Sequence, residues 1–251
     1  MFLRSPADIC IYGGAAGGGK TYALLLECLR HIDNKLFEAV IFRQSRPQIM
    51  SAGGLYATSQ EIYPHLGASS VLTPNVQWRF QSGAKVTFAH MFYEKEKYNW
   101  QGSQIPLLMF DELVHFTESQ FFYMFSRNRS TCGVRPYIRA TCNPDGESWV
   151  ARFIDWWIDP ETGYADESRC GKLRYFIRRN NIIHWADTPQ QLYEEFHLYS
   201  PEEMEAVKSV SFISAKLTDN AAMMKHDPGY IGALKAMSEF DQEQLRNGNW
   251  K

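Results

Sequence analysis

The stretch "ICIYGGAAGGGKTYALLLE", residues 9–27, decides the fold of this chain, because it places a glycine cluster and a lysine between two apolar runs. Glycine inside a helix or strand costs roughly 0.5–1 kcal/mol relative to alanine, so such a cluster marks a place that something must approach closely. By position, Gly14, Gly19, Lys20 and Thr21 fit G-x-x-x-x-G-K-[ST], a loop whose backbone amides cradle phosphates. The flanking runs predict a strand that enters this loop and a helix that leaves it.

This phosphate-binding loop defines the predicted nucleotide site. Because a helix begins at the loop, its first amides and its dipole also face the anion. The alternative is a flexible glycine turn that merely joins a strand to a helix. The residues that we expect to contact the nucleotide here are Gly14, Ala15, Ala16, Gly17, Gly18, Gly19, Lys20, Thr21 and Tyr22.

A second motif, "LLMFDE" at residues 107–112, supplies acidic groups. Its apolar part predicts a strand buried on both faces, with Asp111 and Glu112 at the carboxyl end. Transfer of the γ-phosphate of ATP requires Mg²⁺, and we expect Asp111 and the Thr21 hydroxyl to hold it. Glu112 would act as the general base on the attacking water, while Lys20 binds the outer phosphates. The alternative is a pair of surface acids at a strand end.

A third stretch, "ATCNP" at residues 140–144, ends another predicted strand on polar side chains. Thr141, Cys142 and Asn143 are placed to sense the γ-phosphate, and we expect Asn143 to contact the nucleotide. A simple turn without such a role is the alternative.

The composition is that of an ordinary globular protein. The chain has 251 residues and a formal net charge of −2, so there is no global basic field to attract nucleic acid, although a local patch can still bind it. Five scattered cysteines without a C-x-x-C pair argue against a zinc site and for reduced thiols. No run reaches the ~20 apolar residues of a membrane span. We therefore expect a soluble, intracellular protein.

Strands alternate with helices along residues 1–171, which predicts an α/β fold with a doubly wound, mostly parallel central sheet flanked by helices. The alternating pattern of residues 76–91 predicts a β-hairpin within this core. The spacing of Thr117 and Gln120 predicts a capping box at the start of a helix after the Asp-Glu pair. Residues 172–251 continue with "LRYFIRR" and then with helical patterns near 188–197, 201–208 and 228–246. We interpret this second part as a small helical lid or linker subdomain.

These motifs, taken in order, carry a family resemblance. The segments "GGAAGGGKTYALLLE", "FRQSRPQI", "YNWQGSQIPLLMFDELVHFTESQFFYMFSRNR" and "ATCNPDGESWV", with the closing "FISAKLTDN" and "DQEQLRNGNW", resemble the ATPase domain of large terminase subunits of tailed bacteriophages. The resemblance implies a P-loop NTPase of the ASCE type that uses ATP and Mg²⁺ to drive double-stranded DNA into a procapsid. It also implies a portal protein and a small terminase subunit as partners, a homo-oligomeric ring when docked, a monomer when alone, and the host cytoplasm as location.

Two departures from the family pattern stand out. Residues 1–251 contain no segment that resembles the family's nuclease domain, so we expect no DNA cleavage by these residues. Some relatives place an arginine before the Asp-Glu strand, where it reaches the neighbouring subunit's nucleotide, but the sequence has none between Phe80 and Asp111. We therefore predict that Arg127 or Arg129 supplies this catalytic arginine finger. The alternative is that they cap the preceding helix.

Other readings stay open at this point. One is a helicase or recombination ATPase of the same superclass, and another is a metabolic phosphotransferase. For a motor on DNA, the candidate phosphate contacts are Arg43 with Arg46 and Lys95 with Lys97, each of which could equally be solvated surface charge.

Overall fold

The computed structural model describes residues 1–220, 225, 229, 232, 236–239 and 242–251, and one ten-stranded sheet lies at its centre. The strands are β1 Ile9–Gly14, β2 Glu38–Arg43, β3 Ser69–Val71, β4 Val76–Arg79, β5 Lys85–His90, β6 Leu107–Phe110, β7 Tyr137–Cys142, β8 Leu173–Arg179, β9 Ile182–Ala186 and β10 Lys208–Ala215. The α-helices are α1 Lys20–Glu27, α2 Arg46–Met50, α3 Leu55–Gln60, α4 Glu118–Phe125, α5 Trp149–Phe153, α6 Pro189–Glu195 and α7 Pro201–Met204. Among the described residues, no helix combines the length and the apolarity needed to cross a membrane.

The strand order is β3-β4-β5-β2-β6-β7-β1-β10-β8-β9. The six strands from β5 to β10 in this order run parallel, and an antiparallel hairpin extends the sheet at each end. Since the carboxyl ends of parallel strands meet at one edge, the residues that follow β1, β6 and β7 are brought together. This arrangement confirms the predicted α/β fold with a mostly parallel sheet.

Alternate residues of the central strands point to opposite faces of the sheet. In β6, Leu108 and Phe110 pack into one apolar cluster, whereas Leu107 and Met109 pack into the other. Helices α4 and α5 cover the first face, and α1, α2 and α3 cover the second. Because both faces are covered, β6 is apolar at every position, as the sequence predicts.

Two local predictions are also confirmed. Residues 76–91 contain the antiparallel pair β4 and β5, with Val76 opposite Phe88. Helix α4 begins with a capping box, in which the Gln120 amide donates to the Thr117 hydroxyl at 3.0 Å and the Thr117 amide donates to the Gln120 side chain at 2.9 Å. This cap fixes the start of the helix that follows Asp111 and Glu112.

Residues 172–251 differ from the helical subdomain that the sequence suggests. Helices α6 and α7 fall within two of the predicted helical segments and pack on β8 and β9 around a small apolar cluster of their own. Strand β10, however, lies inside the main sheet, parallel to β1. Its sequence alternates small serines with Val210 and Phe212, all buried, so it lacks the continuous apolar run that identifies a central strand. Eight of the nineteen residues of the predicted helix at 228–246 lie outside the described residues, and the division at residue 172 stays a prediction.

Candidate nucleotide site

The phosphate loop connects β1 to α1 and lies against the end of β10. The Ala15 amide donates to the Ala215 carbonyl at 2.9 Å. Gly14 has a φ of +136°, and a Cβ at this position would clash with the Ala215 carbonyl oxygen. Gly19, directly before the helix, has a φ of +76°. Both positions need glycine because of this backbone conformation, and Gly14 also because of the close approach of β10.

Lys20 is the first residue of α1, and its side chain is folded into the loop. It is only 7% exposed, and its Nζ donates to the carbonyls of Gly14 at 3.1 Å and Ala15 at 2.6 Å and to Oδ1 of Asn143 at 2.9 Å. Burial lowers the pKa of Lys20, while the negative charge of Glu112 acts in the opposite direction. The ammonium therefore lies beside the groups that the sequence assigns to the γ-phosphate.

A cavity of about 270 Å³ opens over the loop. Of the predicted nucleotide contacts, its wall contains Ala16, Gly17, Gly18, Gly19, Lys20, Thr21, Tyr22 and Asn143. Gly14 and Ala15 are not part of the wall. Their carbonyls accept hydrogen bonds from Lys20. Sequence reasoning missed three further wall residues, Gly53 and Thr58 near α3 and Asn220 after β10. The Gly53–Gly54 pair between two short helices was the available signal for the first.

Asp111 follows β6 and is 5% exposed. Its Oδ1 accepts a hydrogen bond from the Thr141 hydroxyl at 2.8 Å, and its Oδ2 pairs with the Arg43 guanidinium at 3.1 Å. Burial raises the pKa of this carboxyl, and Arg43 acts against that shift. Arg43 is the last residue of the neighbouring strand β2, so one of the basic residues considered above for contact with DNA phosphates pairs here with Asp111.

Glu112 has a left-handed backbone, with a φ of +60°, which is uncommon outside glycine, asparagine and aspartate. Its carboxylate accepts hydrogen bonds from the Asn143 backbone amide at 2.8 Å and from the Asn143 side-chain amide at 3.0 Å. The Glu112 amide donates to the Thr141 hydroxyl at 3.3 Å. Thr141 in β7 and Asn143 directly after it thus donate hydrogen bonds to Asp111 and Glu112, respectively.

The order of the strands explains why these groups meet. Strand β7 lies between β1 and β6, so Asn143 stands between Lys20 and Glu112 and bonds to both. The structure therefore brings Lys20, Thr21, Asp111, Glu112 and Asn143 to one edge of the sheet.

Arg127 and Arg129 lie elsewhere in the chain. The Arg127 carbonyl accepts from the Ile105 amide at 3.0 Å. This contact lies at the amino end of β6, whereas Asp111 follows the carboxyl end. The guanidinium of Arg127 contacts Ser126 and the Tyr123 ring, and that of Arg129 donates to the Ser103 carbonyl at 3.0 Å. Neither reaches the nucleotide site of its own chain, so a role across a subunit interface stays a prediction.

The remaining basic candidates differ in exposure. Lys97 is buried and donates to Glu94 and Ser119, so its charge is not available at the surface. Lys95 is exposed. Arg46 donates to the Leu72 carbonyl at 2.8 Å and to the Pro74 carbonyl at 3.2 Å.

The segment Gln242–Lys251 crosses the phosphate loop, which the sequence did not predict. The Leu245 carbonyl accepts from the Ala16 amide at 2.6 Å. Gly248 lies against Ala15, and the Trp250 ring is buried against Phe212. Residues far apart in sequence thus close one side of the loop.

Comparison with solved structures agrees with this fold. A structure of the large terminase of a thermophilic bacteriophage in complex with ATP-γ-S is similar, with a TM-score of 0.56, 14% identity, and coverage of 98% of this chain and 49% of that one. The ATPase domain of the large terminase of Thermus phage P74-26 gives a TM-score of 0.53 and 11% identity over 99% of this chain and 90% of that one. At these identities the likeness establishes the fold.

This chain spans about half the length of the first of these two structures. No individual curated protein matches it significantly in sequence. The family model described as terminase large subunit, T4likevirus-type, N-terminal, matches residues 11–251. The chain therefore belongs to the family of N-terminal domains of terminase large subunits.

Proposed function

We propose that this chain is an ATPase domain that powers the translocation of double-stranded viral DNA into a procapsid. The observation that carries the proposal is the meeting of Lys20, Asp111, Glu112 and Asn143 at the edge of the sheet, next to the phosphate loop. A buried lysine, a buried carboxylate and a second acid are the groups that ATP hydrolysis needs. The solved relative bound to ATP-γ-S supports the choice of nucleotide.

The reaction follows from these groups. The loop amides and Lys20 bind the phosphates, for which Lys20 leaves the Gly14 and Ala15 carbonyls. Glu112 accepts a proton from the attacking water, for which its carboxylate must turn from Asn143 toward the cavity. Asn143, bonded to both Lys20 and Glu112, links the presence of a γ-phosphate to the release of the base. Hydrolysis would therefore wait for a complete nucleotide.

The oxygen donors near the loop fit Mg²⁺. This ion prefers carboxylate and hydroxyl oxygens together with substrate phosphates, and it rarely has an all-protein cage. No group of three or more His, Cys, Asp or Glu side chains suited to a metal occurs among the described residues. Asp111 and Thr21 would hold the ion, which when bound neutralises charge on the β- and γ-phosphates.

Partners and location are part of the same proposal. The chain would act in a homo-oligomeric ring on the portal of the procapsid, with the small terminase subunit presenting the DNA, in the cytoplasm of the infected host. Alone it would be monomeric. We further propose that Asn220 and the segment Gln242–Lys251 act as a lid, because Asn220 donates to the Gly17 carbonyl at 2.8 Å and the Leu245 carbonyl accepts from the Ala16 amide.

The test is ATP turnover by the purified chain without DNA, with double-stranded DNA and with single-stranded DNA. We expect slow turnover that double-stranded DNA stimulates, and no turnover in Lys20→Ala. Glu147→Gln, which changes an exposed acid outside the loop cavity, serves as the control and should resemble the unmodified chain. Stimulation by single-stranded DNA alone would favour a helicase, and unstimulated transfer of phosphate to a small metabolite would favour a phosphotransferase.

A further inference from the structure

Each oxygen of the Asp111 carboxylate has a partner within the protein. Thr141 occupies Oδ1 at 2.8 Å, and Arg43 occupies Oδ2 at 3.1 Å. The two side chains differ in access to solvent, because the Asp111 side chain alone is 7% exposed and the Arg43 side chain is 20% exposed. A cation that approaches Asp111 therefore meets a carboxylate that already has a positive partner.

A buried carboxylate is costly unless a nearby cation compensates for its lost hydration. In this structure Arg43 supplies that cation. A bound Mg²⁺ would supply it as well, and two cations around one carboxylate would repel each other. Arg43 is the partner that can leave, because it is the last residue of β2 and its side chain reaches solvent.

We infer that Arg43 is a positioning residue that neutralises Asp111 while the site is metal-free and gives up this carboxylate when Mg²⁺ arrives with nucleotide. The inference rests on the proposed function, since it takes Asp111 as a magnesium-binding group. Arg43 would keep the empty site folded and would lower the affinity for Mg²⁺, so that the metal binds well only together with nucleotide phosphates.

Arg46 offers a matched control. It lies three residues further along and is also a partly exposed arginine, but its guanidinium donates to the backbone carbonyls of Leu72 and Pro74. Arg46→Met removes an arginine of similar exposure without removing a partner of Asp111.

The first experiment measures thermal unfolding in EDTA. Arg43→Met should lower the melting temperature by several degrees, because it leaves a buried charge without its partner. Asp111→Asn in the Arg43→Met background should recover most of the loss. Arg43→Lys, which keeps the charge but not the planar donors, should lie between the two. Full additivity of the Arg43 and Asp111 substitutions would contradict the pairing.

The second experiment titrates Mg²⁺ in the presence of ADP, so that no turnover occurs. Arg43→Met should gain more melting temperature than the unmodified chain and reach half of its gain at a lower Mg²⁺ concentration, with Arg43→Lys intermediate. Arg46→Met should gain as the unmodified chain does. Equal gains in Arg43→Met and the unmodified chain would overturn the inference and leave Arg43 with a structural role only. Failure of the unmodified chain to gain from Mg²⁺ with ADP would instead contradict the proposed function.

If Arg43→Met does not fold, Arg43→Lys alone decides the question. It should require less Mg²⁺ than the unmodified chain for half of its gain, because a strongly hydrated ammonium holds the carboxylate less well than a guanidinium does. An unchanged or higher requirement would overturn the inference.

Discussion

At the scale of single residues, the site depends on a few hydrogen bonds from the end of β7. Thr141 is fully buried, and its hydroxyl accepts from the Glu112 amide while it donates to Asp111. Asn143 holds the Glu112 carboxylate through two donors. The hydrogen bonds to Thr141 and Asn143 stabilise Glu112 in a left-handed backbone conformation. Without such contacts this conformation is unfavourable for a residue other than glycine. We therefore interpret the present position of Glu112 as a resting one.

Thr141→Val tests this arrangement with almost no change in side-chain shape. It removes both bonds of the hydroxyl, so we expect a loss of about 1–3 kcal/mol in the free energy of unfolding, measured in urea. Thr131→Val, at an exposed threonine, should change this free energy little. A Thr141→Val protein as stable as the unmodified chain would show that the Asp111 contact contributes nothing.

At the scale of elements, the helix that follows Asp111 and Glu112 is held in place by contacts with an earlier 3₁₀ turn. The 3₁₀ turn Glu94–Trp100 packs on α4. Glu94 accepts a hydrogen bond from the Thr117 hydroxyl at the start of α4 and pairs with Lys97 of its own turn, which also donates to Ser119 of α4. Partial burial would raise the pKa of Glu94, but the hydrogen bonds from Lys97, Thr117 and Ser119 outweigh it and lower the pKa to about 2. This carboxylate helps to fix the start of the helix that follows Glu112.

The low pKa predicts a pH-dependent contribution of Glu94. A carboxyl with a depressed pKa in the folded state stabilises the protein above its unfolded pKa, and this contribution is lost as pH falls through the folded value. Glu94→Gln should therefore lower stability at pH 7, and the difference from the unmodified chain should shrink as pH falls from about 4.5 towards 2. Urea unfolding at several pH values measures it. A difference that stays constant with pH would contradict the ion pair.

The phosphate loop, β6 and the start of α4 could be predicted from the sequence, because the signals for these elements are local. Glycine spacing identified the phosphate loop, an apolar run identified β6, and the Thr117–Gln120 spacing identified the start of α4. The contributions of β10, Arg43 and the Gln242–Lys251 segment were missed. They depend on which distant strands and segments become neighbours in the fold, and neither local periodicity nor motif spacing encodes that.

Phe212→Ala tests the membership of β10 in the main sheet. Phe212 is fully buried and contacts Trp250, so we expect a loss of about 3–5 kcal/mol within a single cooperative transition. Phe92→Ala, at an exposed phenylalanine, is the control and should change stability little. An early, separate transition in Phe212→Ala would show that β10 unfolds independently of the core.

At the scale of the whole molecule, the candidate nucleotide site lies at the carboxyl ends of the parallel strands, and two arginines lie near their amino ends. Arg127 and Arg129 lie close to the amino end of β6, where a neighbouring subunit's site would have to meet them. In a ring, each site would then be completed by the next subunit, and an isolated chain would hydrolyse ATP slowly.

Mixing two inactive variants tests this arrangement. Arg127→Ala or Arg129→Ala subunits combined with Lys20→Ala subunits should regain part of the ATPase activity, because an intact loop then meets an intact arginine across the interface. An arginine finger contributes about 10³–10⁵-fold in rate in related reactions, so the recovery should be measurable. If every mixture stays inactive although each variant binds ATP and assembles, the finger is another residue.

We propose that this chain hydrolyses ATP with Glu112 as the base and with the phosphate loop as the binding site. The most direct measurement is ATP binding together with single-turnover hydrolysis in the unmodified chain, Glu112→Gln and Lys20→Ala. We predict that Glu112→Gln binds ATP nearly as well as the unmodified chain but does not hydrolyse it, whereas Lys20→Ala loses both binding and hydrolysis. Hydrolysis by Glu112→Gln at the rate of the unmodified chain would show that Glu112 is not the base.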